Sequence, residues 1–170
     1  MTDESSAAVP TPIPSALIIG ANGFLGRRMP SIIANRHPKC KISLLDISPE
    51  TILEYPYFRG DITDYSSLVK IFEETKPAVV IHSASPPIPT VGKGDEKLFF
   101  RVNVEGTRNI INACKETGVK ALVYTSSASV IYNGTDLVNA DEKTPYANEH
   151  VDSYNASKVD FSVSKELTDL

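Results

Sequence analysis

Residues 16–35 read Ala-Leu-Ile-Ile-Gly-Ala-Asn-Gly-Phe-Leu-Gly-Arg-Arg-Met-Pro-Ser-Ile-Ile-Ala-Asn, and the fold is decided here. Ala16 to Ile19 is wholly apolar, as suits a short strand buried on both faces of a parallel sheet. Glycines follow at 20, 23 and 26, and a helical pattern then runs to about Asn35. Working outward, Lys41 to Asp46 reads as a second strand and Tyr55 to Arg59 as a short third, ending at Gly60-Asp61. Asp64 to Glu74 has helical periodicity with Asp64 as its N-cap. Ala78 to His82 is a fourth apolar strand, and the prolines of Ser83 to Thr90 make a loop. From Glu96 to Thr117 the period is helical. Phe99, Val102, Gly106, Ile110, Ala113 and Cys114 share one face, and Gly118 is the natural C-cap. Lys120 to Thr125 is a fifth strand, Ser126 to Tyr146 is irregular, and Val151 to Leu167 can form a helix.

Strands alternating with helices define the α/β class, and the order predicts a Rossmann-type doubly wound parallel sheet, incomplete on its C-terminal side. The 170 residues suffice for one domain, expected over 15–170, with Met1 to Pro14 a loose polar tail. Hydrophobic residues make up 41% and charged residues 22%, ordinary for a globular chain. A net charge of -4 without a basic block argues against a nucleic-acid partner. Cys40 and Cys114 lie far apart without histidines at ligand spacing. They are expected to be reduced thiols of an intracellular protein, with neither a disulfide framework nor a metal site. No apolar run reaches the length of a membrane span.

Gly20-x-x-Gly23-x-x-Gly26 follows a strand and opens a helix. Glycine permits the tight turn and lets backbone approach a pyrophosphate, while the helix N-terminus offers free N–H groups to the phosphates. The bland alternative is an ordinary strand-to-helix turn. Asp46 ends the second strand, 20 residues after Gly26. A carboxylate there can accept from both ribose hydroxyls of NAD and would repel a 2′-phosphate, so NAD is favoured over NADP. Arg27 and Arg28 could pair with such a phosphate, but read more simply as solvated residues of the first helical turn.

Tyr154 has a lysine, Lys158, four residues on, which no other tyrosine of the seven has. At that spacing the two side chains share a helix face. An ammonium beside a phenol favours the phenolate, which can exchange a proton with a carbinol. A surface pair is the bland alternative. Tyr124-Thr-Ser-Ser127-Ala-Ser ends the fifth strand, where hydroxyls face the ligand crevice of an open sheet. Ser127 is the choice for holding a substrate oxygen and Ser126 the rival, against a reading in which these serines cap backbone groups.

In order and at these spacings, the glycine pattern, Asp61-Ile62, His82-Ser-Ala-Ser85, Asn103-Val-Glu-Gly-Thr107, the Thr-Ser-Ser segment and Tyr154-x-x-x-Lys158 resemble an extended short-chain dehydrogenase over about Ala16 to Lys165. Within that group, Tyr124 to Gly134, Asp141-Glu142 and Pro145-Tyr146 resemble the 3β-hydroxysteroid dehydrogenase family, closest to its decarboxylating sterol-4α-carboxylate 3-dehydrogenases. The resemblance implies that Gly20, Asn22, Gly23, Phe24, Leu25 and Gly26 bind pyrophosphate and that Asp46 holds the adenosine ribose. It implies that Asp61 and Ile62 flank adenine, and that Ser83, Ala84 and Ser85 line the cofactor, with Asn103 contributing or serving as a contact inside its helix. Ser127, Tyr154 and Lys158 would be the catalytic set, and His82 a packing residue at a strand end. The implied reaction is NAD-dependent oxidation of a sterol 3β-hydroxyl, with loss of the 4α-carboxylate, in sterol biosynthesis. It would take place in the cytoplasm or at the endoplasmic reticulum membrane, with membrane attachment through a region absent here and a homodimer as the assembly. Nucleotide-sugar epimerases of the same group usually have a shorter serine segment, whereas here Ile131 separates Val130 from Tyr132. An epimerase and a non-catalytic dinucleotide-binding module are the alternatives. Extended members continue well past the Tyr-Lys helix, so the expectation is a chain without the substrate-binding region and with little or no turnover of its own.

Overall fold

The computed structural model describes residues 11–87, 95–141, 143–148 and 152–162, with side chains of the last segment described to Lys158. Met1 to Pro10 of the expected tail, the end of the loop to Thr90, Glu142 and the last helix beyond Ser162 lie outside the described residues. Pro14 already belongs to the fold, since its carbonyl accepts from the Lys41 N–H at 3.0 Å.

Five strands form one sheet: β1 (Ser15–Ile19), β2 (Lys41–Asp46), β3 (Tyr57–Arg59), β4 (Val79–His82) and β5 (Ala121–Tyr124). Their order is β3-β2-β1-β4-β5 and every pairing is parallel, the doubly wound arrangement expected. The chain reverses its direction of winding between β1 and β4. Their C-terminal ends, Ile19 and His82, are in register, so the glycine loop and the exit of β4 open side by side.

The helices are α1 (Met29–Arg36), α2 (Tyr65–Thr75), α3 (Glu96–Phe100), α4 (Thr107–Thr117) and α5 (Ser153–Ser162). Alternation along the strands sorts the core into two layers. Leu17, Ile19, Leu45 and Val80 point to one face and meet Leu68, Ile71 and Phe72 of α2 and Ile110, Ala113 and Cys114 of α4. Ile18, Ile42 and Leu44 point to the other and meet Ile33 of α1. Asp64 caps α2 by accepting from the Ser67 N–H, and Gly118 caps α4.

Two expectations change. The third strand begins at Tyr57 rather than Tyr55, because Pro56 has no N–H to give a ladder and contributes only its carbonyl, to the Leu44 N–H. The single helix expected over Glu96 to Thr117 is three pieces. Between α3 and α4, residues Arg101–Gly106 form a π-helical turn. Thr107 Oγ1 donates to the Asn103 carbonyl at 2.7 Å, and Gly106 lies where a Cβ would meet Ile62 at 2.7 Å. The wider turn thus lets the backbone pass close under Ile62 while keeping Asn103 directed inward.

Candidate active site

The glycine loop is built on close backbone approach. Gly20 has φ +82°, in the left-handed region, and a Cβ there would lie 2.6 Å from the Ala84 nitrogen. A Cβ on Gly26 would lie 2.0 Å from the Gly20 oxygen. At Gly23 the corresponding approach is a less severe 3.1 Å. Leu45 O accepts from the Gly20 and Ala21 N–H groups, tying the loop to the end of β2.

Asp46 sits at the rim, where Oδ2 accepts from the Asn22 N–H at 2.9 Å and Oδ1 from the Ser48 N–H at 3.0 Å. Asn22 Nδ2 donates to the Glu50 carbonyl and to the Tyr57 hydroxyl, which itself donates to Ser48 O at 2.6 Å. An open cleft of about 550 Å³ lies here, lined by Asn22, Arg27, Ser48, Glu50 and Ile52 among others. Arg27 and Arg28 are exposed but not merely solvated. Arg27 Nη2 donates to Asn22 O, and Arg28 Nη1 to Phe24 O, both at 2.7 Å. The Arg28 guanidinium also lies 4.2 Å over the ring of exposed Phe24, while Leu25 is partly exposed at the start of the 3₁₀ turn Gly26–Arg28. Both arginines therefore donate to carbonyls of the glycine loop ahead of α1.

Beyond β4, Ser83 Oγ donates to Ile19 O at 3.0 Å, bridging the two strand ends, and Ser85 Oγ contacts Pro86 O at 3.5 Å. Asp61 Oδ1 accepts from the N–H and hydroxyl of Thr63. The Ile62 side chain belongs to the core beside α2 and α4, and its carbonyl accepts from Asn109 Nδ2 at 3.0 Å.

A buried run of hydrogen bonds joins this strand exit to α5. The Ala84 N–H donates to His82 Nδ1 at 3.3 Å, which assigns the proton to Nε2; Nε2–H then donates to Thr107 Oγ1 at 2.9 Å. Thr107 donates to the Asn103 carbonyl. Asn103 Nδ2 donates to Ser157 Oγ at 3.0 Å, and Ser157 donates to the Tyr154 carbonyl at 2.8 Å. His82, Thr107, Asn103 and Ser157 are all buried. Burial, aided by the charge on Lys158, pushes His82 down to about 3, so it is neutral at physiological pH. Asn103 Oδ1 has no hydrogen-bond partner among the described residues. Asn103 thus acts here as a contact from the π turn to α5. Thr107 stood in the sequence only as part of a motif and Ser157 only as a spacer, and neither reveals this pairing without the π turn.

Tyr154 is half-buried, edge-on to Phe99 with centroids 5.7 Å apart. Lys158 is 3% exposed, with Nζ 5.8 Å from the Tyr154 ring centroid, so the i, i+4 pair does share a face. Desolvation lowers the Lys158 ammonium from its ordinary range to about 8. Ser127 caps the short turn Ala128–Ile131, its Oγ accepting from the Ser129 N–H and lying 2.8 Å from Ser129 Oγ. The capping role foreseen as the bland reading thus falls on Ser127 itself. That turn packs directly on α5, bringing the serine segment beside the tyrosine helix. Among the described residues no three His, Cys, Asp or Glu side chains gather to hold a metal, and no helix is long and apolar enough to cross a membrane.

Residues 17–161 match the model of the 3-beta hydroxysteroid dehydrogenase/isomerase family. The chain belongs to that family. Among its relatives, this 3-beta hydroxysteroid dehydrogenase family chain is 42% identical over 153 residues to the decarboxylating sterol-4-alpha-carboxylate 3-dehydrogenase of Schizosaccharomyces pombe, covering 86% of the chain and 43% of that protein. It is 37% identical over 143 residues to the human protein of the same name, covering 84% and 36%. Among solved structures it resembles the UDP-glucose 4-epimerase of Thermus thermophilus, crystallised with NAD. The TM-score is 0.77 and the identity 29%, over 87% of this chain and 48% of that one. The chain spans about two-fifths of the length of the curated relatives it matches.

Proposed function

We propose that residues 15–170 are the NAD(P)-binding domain of a sterol dehydrogenase that oxidises the 3β-hydroxyl of a 4α-carboxysterol, with decarboxylation, in intracellular sterol biosynthesis. The observation that carries this reading is the pairing of Tyr154 with a buried lysine on α5, in a chain of this family. The cofactor fits the residues present. Gly20 and Gly26 allow backbone approaches that a side chain at either position would block, giving the tight turn that a pyrophosphate loop needs, and Asp46 stands at its rim. Asn22 to Leu25 would complete the pyrophosphate site, Asp61 and the backbone of Ile62 would flank adenine, and Ser83 to Ser85 would line the nicotinamide side. Asp46 favours NAD over NADP, since its carboxylate can accept from ribose hydroxyls and repels a 2′-phosphate.

When bound, NAD supplies the hydride acceptor. Tyr154, as phenolate, takes the proton of the 3β-hydroxyl, and Ser127 orients the oxygen. Lys158, as ammonium, stabilises the phenolate, and it does so below its own midpoint near 8. The resulting 3-ketone lies β to the carboxylate and accepts the electron pair of the C–C bond as carbon dioxide leaves, giving an enolate that is then protonated.

The test begins with calorimetric titration of the chain with NAD and with NADP, followed by assay for NADH and carbon dioxide from a 4α-carboxysterol. Saturable NAD binding, weaker NADP binding and selective binding or oxidation of the carboxysterol support the reading. A folded chain that ignores both dinucleotides overturns it. The likeness to a UDP-glucose 4-epimerase favours a second reading, a nucleotide-sugar enzyme. Preferential binding of a UDP-sugar over the sterol would select that one.

A further inference from the structure

Tyr124, the last residue of β5, lies in register with His82 at the end of β4. The two rings are 5.3 Å apart and tilted, which fixes the Tyr124 ring on the face that α5 covers. Lys158 reaches this ring from α5. Its Nζ donates to the Tyr124 hydroxyl at 3.4 Å and lies 5.2 Å from the ring centroid, against 5.8 Å from that of Tyr154. Among the described residues, the Tyr124 hydroxyl is the one hydrogen-bond acceptor of this ammonium, and no carboxylate forms an ion pair with it. Among the described residues, Tyr154 on its own helix and neutral His82 on β4 also face it.

The geometry points to Tyr124 as a positioning residue: its hydroxyl and ring hold the Lys158 ammonium, charged and in place, between two tyrosines at the catalytic helix. This rests on the reading of Tyr154 and Lys158 as the reacting pair. A buried ammonium is disfavoured by desolvation. Tyr124 opposes that penalty in two ways, by accepting a hydrogen bond from the charged form and by presenting the negative face of its ring. Tyr124 suits the task because it remains a phenol. Burial, and then repulsion from Tyr154, keep its own ionisation far above the ordinary tyrosine range. It can therefore support the cation without competing with Tyr154 for the role of base.

The test is an NMR titration of Lys158, read from its side-chain carbon shifts and assigned with Lys158→Met, in the wild-type chain and in Tyr124→Phe. The phenylalanine keeps the ring and removes the hydroxyl. The Lys158 midpoint is expected to fall by about one pH unit, the size of a hydrogen bond to a charged group. Tyr124→His, which restores an acceptor on a ring, is expected to recover part of the shift. A midpoint unmoved by Tyr124→Phe in a folded chain overturns the proposal. Should that variant fail to fold, the unmutated chain decides it: nuclear Overhauser contacts between the Lys158 ε-protons and the Tyr124 ring are expected, and their absence overturns it. None of these readouts needs turnover, so failure of the sterol reaction and failure of this inference are distinguishable.

Discussion

In the proposed function Asp46 has two tasks that share the same oxygens. Each carboxylate oxygen already accepts one backbone N–H, from Asn22 and from Ser48, which fixes the glycine loop and the segment after β2. Each still has a lone pair for a ribose hydroxyl. Substituting Asn keeps the shape and removes the charge, and one amide nitrogen would then face a donor it cannot accept from. Asp46→Asn should weaken NAD binding by about 10- to 100-fold, the worth of one charge-assisted hydrogen bond. It should also narrow the gap between NAD and NADP, because the repulsion of a 2′-phosphate is lost. Calorimetric titration of both dinucleotides checks this; an unchanged ratio would exclude Asp46 from the ribose site. The sequence placed Asp46 at the end of β2, where the apolar residues of that strand stop. It could not show the two N–H groups already bound there, since those depend on how Asn22 and Ser48 fold back.

Elements differ in how much of them is written locally. Strands β1 and β4 were legible because burial on both faces leaves continuous apolar runs, and α2 because Asp64 announces its start. The π turn was not legible. Its apolar pattern is that of a plain helix, and it is set by a tertiary contact, Gly106 under Ile62, together with the Thr107 bond back to Asn103. The same limit hid Tyr124, whose place opposite His82 follows from strand register. Three substitutions test local geometry. Gly26→Ala puts a methyl into the Gly20 carbonyl, a backbone atom that cannot yield, so it should cost at least about 3 kcal/mol and abolish NAD binding. Gly23→Ala meets the same carbonyl at 3.1 Å and should be clearly milder, as read by denaturant midpoints. At the end of α2, Lys76 holds φ +43°, a left-handed cap without a glycine. Lys76→Gly should therefore raise stability by about 1 kcal/mol, visible as a higher thermal midpoint.

At the scale of the whole molecule, the parallel sheet places its strand exits on one edge, and a buried chain of hydrogen bonds ties that edge to α5. His82 is its first side chain, at the strand exit, and its ionisation is linked to folding. Buried and neutral, it has a folded midpoint near 3, against 6.5 when exposed. Because the folded value is depressed, the unfolded chain binds the extra proton between these two values. The stability contributed is complete above pH 6.5 and is lost as pH falls towards 3. Within that window the slope from this one group approaches about 1.4 kcal/mol per pH unit. His82→Gln removes the titration while keeping a side chain able to donate to Thr107. The variant should be less stable at pH 7, yet its stability should fall less steeply from about pH 6.5 to about 4.5 than that of the wild type. Urea unfolding at several pH values measures both slopes, and the difference between them isolates His82 from His37 and His150. Parallel slopes would mean that His82 accepts its proton without unfolding the chain, and that the bond to Thr107 does not hold it neutral.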